Sequence, residues 1–249
     1  MILNSDENES CSLDVIFNEL FCRKGELNMI VAPKRMGKTS FALTMLAKGV
    51  IEYDDKYLWL SSELPVSRLV DMLNTNLTKK VLGHNIINYE RNKFIDELIA
   101  VFDFEMMFTK FNQIFNFETI RNLITKLEEE AKVDCIIIDC IKGSEVISNL
   151  NINHSSNFNN YMHSLKKLAI ELNKTIVLLY EIENEGSYLN ITPEIIDTFC
   201  FIYRPEFYKI VEYEDGCSTL GDAHFVFKKK DEYNMNQLLK YDATSYRFY

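Results

Sequence analysis

Glycine and proline are scarce in this chain, at 8 and 4 of 249 residues, and tryptophan occurs once. So thin a supply excludes collagen-like and Pro/Gly-linker architectures, and no internal repeat or low-complexity tract interrupts the sequence. The six cysteines form no CxxC pair and the four histidines are scattered, so neither a disulfide scaffold nor a finger-type zinc site is expected. Every apolar run falls well short of the roughly 20 residues that cross a bilayer, so no membrane protein is expected. A leader with a basic start, apolar middle and small-residue cleavage site is also lacking, which makes a reducing cytoplasm the expected compartment. Basic residues are outnumbered 27 to 37, for a net charge of -10. That balance argues against a protein that coats nucleic acid by bulk attraction and leaves only a local basic stripe to do so.

What is present alternates strand with helix. Residues 1–12 are polar and acidic and read as a flexible tail, leaving 13–249 as one domain long enough to bury a large core. Strands are expected at Leu27–Val31, Tyr57–Leu60, Cys135–Asp139, Thr175–Tyr180 and Phe199–Tyr203. Amphipathic helices are expected from Gly37 to about Val50, from Pro65 onward, from Phe117 to Lys132 behind an Asn116 cap, and over Phe158–Leu172. Between Tyr89 and Phe115 the pattern suggests one helix and a short strand near Met106–Phe108. Ser144–Asn157 reads as a loop. The tail from His224 reads as two or three β segments, whose aromatics Tyr233, Tyr241, Tyr246, Phe248 and Tyr249 belong to a core or interface rather than to base stacking. The expected fold is therefore α/β, a mostly parallel central sheet flanked by helices with an antiparallel, β-rich C-terminal edge.

One motif carries chemistry. Ala32-Pro33-Lys34-Arg35-Met36-Gly37-Lys38-Thr39 lies between an expected strand and an expected helix, the setting in which a glycine loop cradles phosphate. Backbone N–H groups of Pro33–Ser40, other than the proline's, would face the phosphates, Lys38 would reach the β- and γ-phosphates, and the Thr39 hydroxyl would hold Mg2+. Ala32 replaces the usual first glycine. A chance Gly-Lys-Thr in a turn is the plainer alternative, and the flanking strand and helix weigh against it.

Hydrolysis needs carboxylates as well. Asp139, at the end of the Cys135–Ile138 run, would emerge at the ligand-bearing edge of a parallel sheet as a second metal ligand; otherwise it caps a turn. Glu63 follows the Tyr57–Leu60 strand and could polarise an attacking water, or simply place negative charge at a helix start.

These landmarks resemble the C-terminal motor domain of DnaB-type replicative helicases. Gly25-Glu26-Leu27, Ala32–Leu43, Ser62-Glu63-Leu64, Ile136–Asp139, Leu165–Leu172 and Phe201–Tyr208 occur in that family's order and approximate spacing. The resemblance implies a RecA-like P-loop fold, ATP with Mg2+ as ligand, Glu63 as the water-activating carboxylate and Asp139 as the Walker B acid, with Lys38 serving catalysis. It also implies single-stranded DNA as a partner and a homo-oligomeric ring with ATP sites between subunits. Recombinase-like and circadian-type RecA ATPases share the fold but lack the Leu165–Leu172 and Phe201–Tyr208 landmarks.

The departures point the other way. Where the family carries Lys-x-Arg on a late strand, this chain has Lys229 and Asp231, or Lys228 and Lys230 one residue earlier, so no arginine finger is present at that place. Glu181 stands where a γ-phosphate-sensing glutamine is usual. The loops that would face DNA, Ile141–Ser156 and Asp231–Asn236, hold Lys142 as their only lysine or arginine against Glu145, Asp231 and Glu232. The Lys228–Lys230 run is followed at once by two acids and reads as a solvated strand end. The helical domain that precedes the motor in such helicases has no counterpart in these residues, so a motor domain standing alone is expected. Two functions therefore stay open: a Mg-dependent ATPase linked to DNA replication or mobile-element maintenance, and a non-motor paralogue that binds ATP as a structural or regulatory ligand.

Overall fold

Eight strands order as β2-β3-β4-β1-β5-β6-β7-β8 in a single sheet, parallel through β5 and antiparallel from there to the edge. The strands are β1 (Leu27–Pro33), β2 (Tyr57–Ser61), β3 (Cys135–Lys142), β4 (Thr175–Ile182), β5 (Thr198–Tyr203), β6 (Asp222–Lys229), β7 (Met235–Asp242) and β8 (Arg247–Phe248). Among the described residues the helices include α1 (Leu13–Phe21), α2 (Lys38–Tyr53), α3 (Phe117–Ala131) and α4 (His154–Leu172), residues 67–73 are helical behind Pro65 as expected, and a 3-10 turn lies at Pro205–Tyr208. The computed structural model describes residues 13–53, 55–61, 64–65, 67–73, 75, 117–131, 133–142, 154–182, 195–229, 235–244 and 246–249. The expected acidic tail and the helix and strand expected between 89 and 115 lie outside the described residues.

The period-two alternation of side chains divides the core in two. Ile30, Tyr57, Trp59, Ile137, Val177 and Leu179 face α1 and α2, while Met29, Val31, Leu58, Ile136, Ile138 and Leu178 face α3 and α4. Central parallel strands are covered on both faces, which is why they read as unbroken apolar runs. α2 departs from the one-sided helix its sequence suggests, because Ser40 through Gly49 are all buried. The sheet, α1 and the C-terminal strand β8 enclose it from several directions, and a helix enclosed in that way has little solvent face to mark with charge.

Of the boundaries that differ from the sequence expectation, three bear on the expected loops and on Glu181. β3 runs past Asp139 to Lys142, with a register shift against β4 between Asp139 and Ile141, so Ile141 and Lys142 belong to the strand and not to the loop expected there. α4 starts at His154, inside the expected loop, and its polar first turn (His-Ser-Ser-Asn) is the reason the apolar period missed it. β4 extends to Ile182, which places Glu181 within the strand instead of beyond it. The unforeseen α1 packs Ile16, Phe17, Leu20 and Phe21 into the core.

Candidate phosphate-binding site

β1 carries Ala32 and Pro33 to the C-terminal edge of the parallel strands, the chain turns through Lys34–Gly37, and α2 starts at Lys38. The turn needs left-handed backbone at Arg35 (φ 66°) and Gly37 (φ 96°). Glycine suits position 37 on a second count, since a β-carbon there would lie 3.0 Å from Phe248 Cζ. Lys34 and Arg35 point outward and are exposed, whereas Met36 is buried in the core behind the loop. The Phe41 N–H donates to the Gly37 carbonyl at 2.8 Å, closing the first turn. Earlier N–H groups at a helix start have no partner one turn back, and that is what makes such a start receptive to anions.

Lys38 folds back across its own loop. Its Nζ donates to the carbonyls of Ala32 at 2.9 Å and Pro33 at 3.0 Å, and it pairs with Glu181 at 3.5 Å. Strand register explains the pairing, because Glu181 on β4 is directly opposite Ala32 on β1. Ser40 is buried in the next turn, and its carbonyl accepts the Thr44 hydroxyl at 3.0 Å.

Thr39 and Asp139 meet across 100 residues of sequence. The Thr39 hydroxyl lies 3.2 and 3.4 Å from the two carboxylate oxygens of Asp139, a fully buried side chain. Asp139 is in register with Ser61 at the end of β2, and Ser61 Oγ accepts the Leu64 N–H at 3.2 Å. β2 therefore ends at the same edge as Asp139; Glu63 lies outside the described residues. A hydroxyl and a carboxylate are hard oxygen donors, the kind Mg2+ takes from a protein when phosphates and water fill its other positions.

Lys229 is not brought to this place. It ends β6 opposite Thr198, the first residue of β5, and so sits at the other end of the sheet. There it pairs with Glu19 of α1 at 3.0 Å, the same carboxylate that holds Arg23. Lys228 is exposed beside it, and 230–234 lie outside the described residues.

Two neighbours of the loop were not foreseen as site residues. Phe248 is fully buried against Phe41, Phe225 and Tyr241, and its N–H donates to Thr44 Oγ1 at 3.4 Å. Arg204 is 6% exposed, with its guanidinium 4.0 Å from the Tyr241 ring centroid and 4.8 Å from that of Phe207, and it pairs with Glu206. A β-carbon at position 37 would come 4.0 Å from Arg204 Nη1, so this buried cation borders the cradle. Burial lowers the Arg204 pKa, and Tyr241 partly offsets it. No spacing in the sequence marks it, since Arg204 reaches the cradle only because β5, which it follows, pairs beside β1.

A glycine loop on a strand-to-helix turn, a lysine folded over it and a hydroxyl–carboxylate pair beside it define a P-loop α/β protein of RecA-like topology. The sequence matches the family model described as the DnaB-like helicase C terminal domain over residues 11–187, and the chain belongs to that family. The match covers the cradle, Asp139 and Glu181, and ends before the Phe201–Tyr208 landmark and Lys229. No curated protein sequence matches the chain. Among solved structures, one described as an ATPase domain superposes with a TM-score of 0.63 at 17% identity, covering 92% of this chain and 84% of that one. A DnaB-like replicative helicase, solved in a study of its interactions with primase, gives 0.65 at 17% identity over 91% of this chain; the chain spans 59% of that protein. The KaiC-like protein PH0186 of Pyrococcus horikoshii gives 0.57 at 14% identity over 94% of both. At such identities the structures establish the shared α/β fold, with its mostly parallel sheet and antiparallel C-terminal edge.

Proposed function

We propose that this chain binds ATP with Mg2+ at Ala32–Thr39 and hydrolyses it, as a diverged DnaB-like motor domain. The observation that carries the reading is the meeting of Thr39 and Asp139 at 3.2 Å beside the glycine loop. In this reading the loop's N–H groups and Lys38 hold the phosphates, and Thr39 and Asp139 hold the ion, which when bound neutralises charge on the phosphate oxygens. Glu63, from the segment after β2, orients and deprotonates the attacking water. The remaining family properties extend the proposal: assembly with copies of itself, single-stranded DNA as ligand, a role linked to DNA replication or mobile elements, and a cytoplasmic setting that suits the buried cysteines Cys135, Cys140 and Cys200, which form no disulfide.

Steady-state ATP hydrolysis with and without single-stranded DNA tests it. Mg-dependent turnover that disappears in both Lys38→Ala and Glu63→Gln is the expected result; a folded protein with no turnover would refute hydrolysis. A second reading, ATP as a structural or regulatory ligand of a non-motor paralogue, is favoured by the Lys229–Glu19 pair and by the Asp at 231, which leave no arginine where the finger is expected. It expects thermal stabilisation by nucleotide, about 2.7 kcal/mol at a hundred times Kd, with little turnover.

A further inference from the structure

The lysine of the cradle is already neutralised. Lys38 and Glu181 pair at 3.5 Å with side chains only 5% and 14% exposed, and the two carbonyls on Lys38 Nζ fix the cation beside the carboxylate. The backbone of Glu181 is held in β4 in register with Ala32, which opens the motif, so its carboxylate stays within reach of Lys38. Charges kept from water act on one another strongly, because little solvent intervenes to screen them.

Phosphate that reaches Lys38 must settle with this carboxylate in one of two ways. Lys38 leaves Glu181, which strips a largely buried carboxylate of its cation, or Lys38 stays, which sets phosphate oxygens against the carboxylate. Either penalty grows with the phosphate charge gathered at Nζ. A diphosphate brings its terminal phosphate there, and a triphosphate brings one group more. The geometry points to Glu181 as a specificity-determining residue that disfavours the γ-phosphate, biasing the site toward nucleoside diphosphate and so toward weak triphosphate binding. This inference rests on the cradle reading above and concerns what that cradle prefers.

The test is calorimetric binding of Mg-ADP and of the Mg complex of the β,γ-imido analogue of ATP to the wild-type chain, Glu181→Gln and Glu181→Ala, each checked for folding by its melting curve. Glutamine keeps the shape and removes the charge, while alanine removes the charge without leaving an amide. Both variants are expected to bind the analogue about tenfold more tightly, equal to about 1.4 kcal/mol, and to gain less than about threefold for ADP, so that the analogue-to-ADP preference rises. Tight binding of both nucleotides with an unchanged preference in both variants overturns the inference and leaves the cradle reading standing. Failure of every protein, wild type included, to bind either nucleotide overturns both.

Discussion

Gly49 lies midway along α2, where a helix would ordinarily favour alanine by about 1 kcal/mol. A β-carbon there would lie 1.8 Å from the hydroxyl oxygen of Tyr57, 2.7 Å from its Cζ and 2.9 Å from Phe17 Cζ. Neither ring can swing clear: Tyr57 is 1% exposed, Phe17 is fully buried, and the Tyr57 hydroxyl donates to Asp55 at 3.3 Å. Overpacking of a core costs about 1–3 kcal/mol, and the closeness of these atoms puts Gly49→Ala at the upper end. Less the helix gain, the net loss is about 2 kcal/mol, or about 4–8 °C in Tm for a chain of this size. The single tryptophan, Trp59, is fully buried two residues from Tyr57 and reports urea unfolding by its fluorescence. The midpoint should fall with the slope unchanged. Adding Tyr57→Phe removes the atom at 1.8 Å but not the carbon at 2.7 Å, so the double variant should recover about half of the loss. Gly49→Ala as stable as wild type, or no recovery on adding Tyr57→Phe, would refute the packing described for α2 against β2.

Phe248→Ala should destabilise by about 3–5 kcal/mol and Phe248→Leu by less than about 1.5, measured by the same unfolding experiment, because the ring fills the space between α2, β6 and β7. Asp139→Asn should cut Mg-dependent nucleotide affinity by tenfold or more while leaving metal-free binding nearly unchanged; equal loss with and without Mg2+ would show that the carboxylate does not serve the ion. Burial and then Asp197 raise the Glu26 pKa above its ordinary 4.5. The folded state thus holds that proton more tightly than the unfolded one, and the stability it contributes is full below 4.5 and lost as pH rises through the folded value. Glu26→Gln should accordingly raise the urea midpoint modestly at pH 7 and not at about pH 4, and a gain independent of pH would exclude the charge as its cause.

The parallel half of the fold was legible because buried strands leave unbroken apolar runs and because a glycine loop has few other uses between strand and helix. Asp139 stood out as a polar residue ending such a run, and Lys38 by its place after the glycine of the loop. α1 was missed because nine residues after an acidic stretch hold too few periods to stand out. The extension of β4 was missed because Glu181 looks like the end of an apolar run, yet its backbone still pairs with Ala32 while its side chain turns to Lys38. Arg204 and Phe248 could not be assigned to the cradle, since what brings them there is the pairing of β5 through β8 and not any spacing in the chain.

The same pairing decides what Lys229 can do. Lys229 is opposite Thr198, and Thr198 opposite Asn28, so Lys229 sits two strands across from β1 and at the level of Asn28, four residues short of Ala32. At about 3.3 Å per residue and about 4.8 Å per strand, that is about 13 Å along the sheet and about 10 Å across it before the cradle begins. A lysine side chain, with four methylenes, cannot bridge that gap. Whatever Lys229 contributes to phosphate chemistry must therefore go to the cradle of a neighbouring copy. To do so it must give up the 3.0 Å pair with Glu19, which would leave that carboxylate with Arg23 as its ion-pair partner among the described residues. A motor reading in which Lys229 serves a neighbouring copy thus requires assembly to rearrange the α1–β6 contact, whereas the regulatory reading leaves it as it stands.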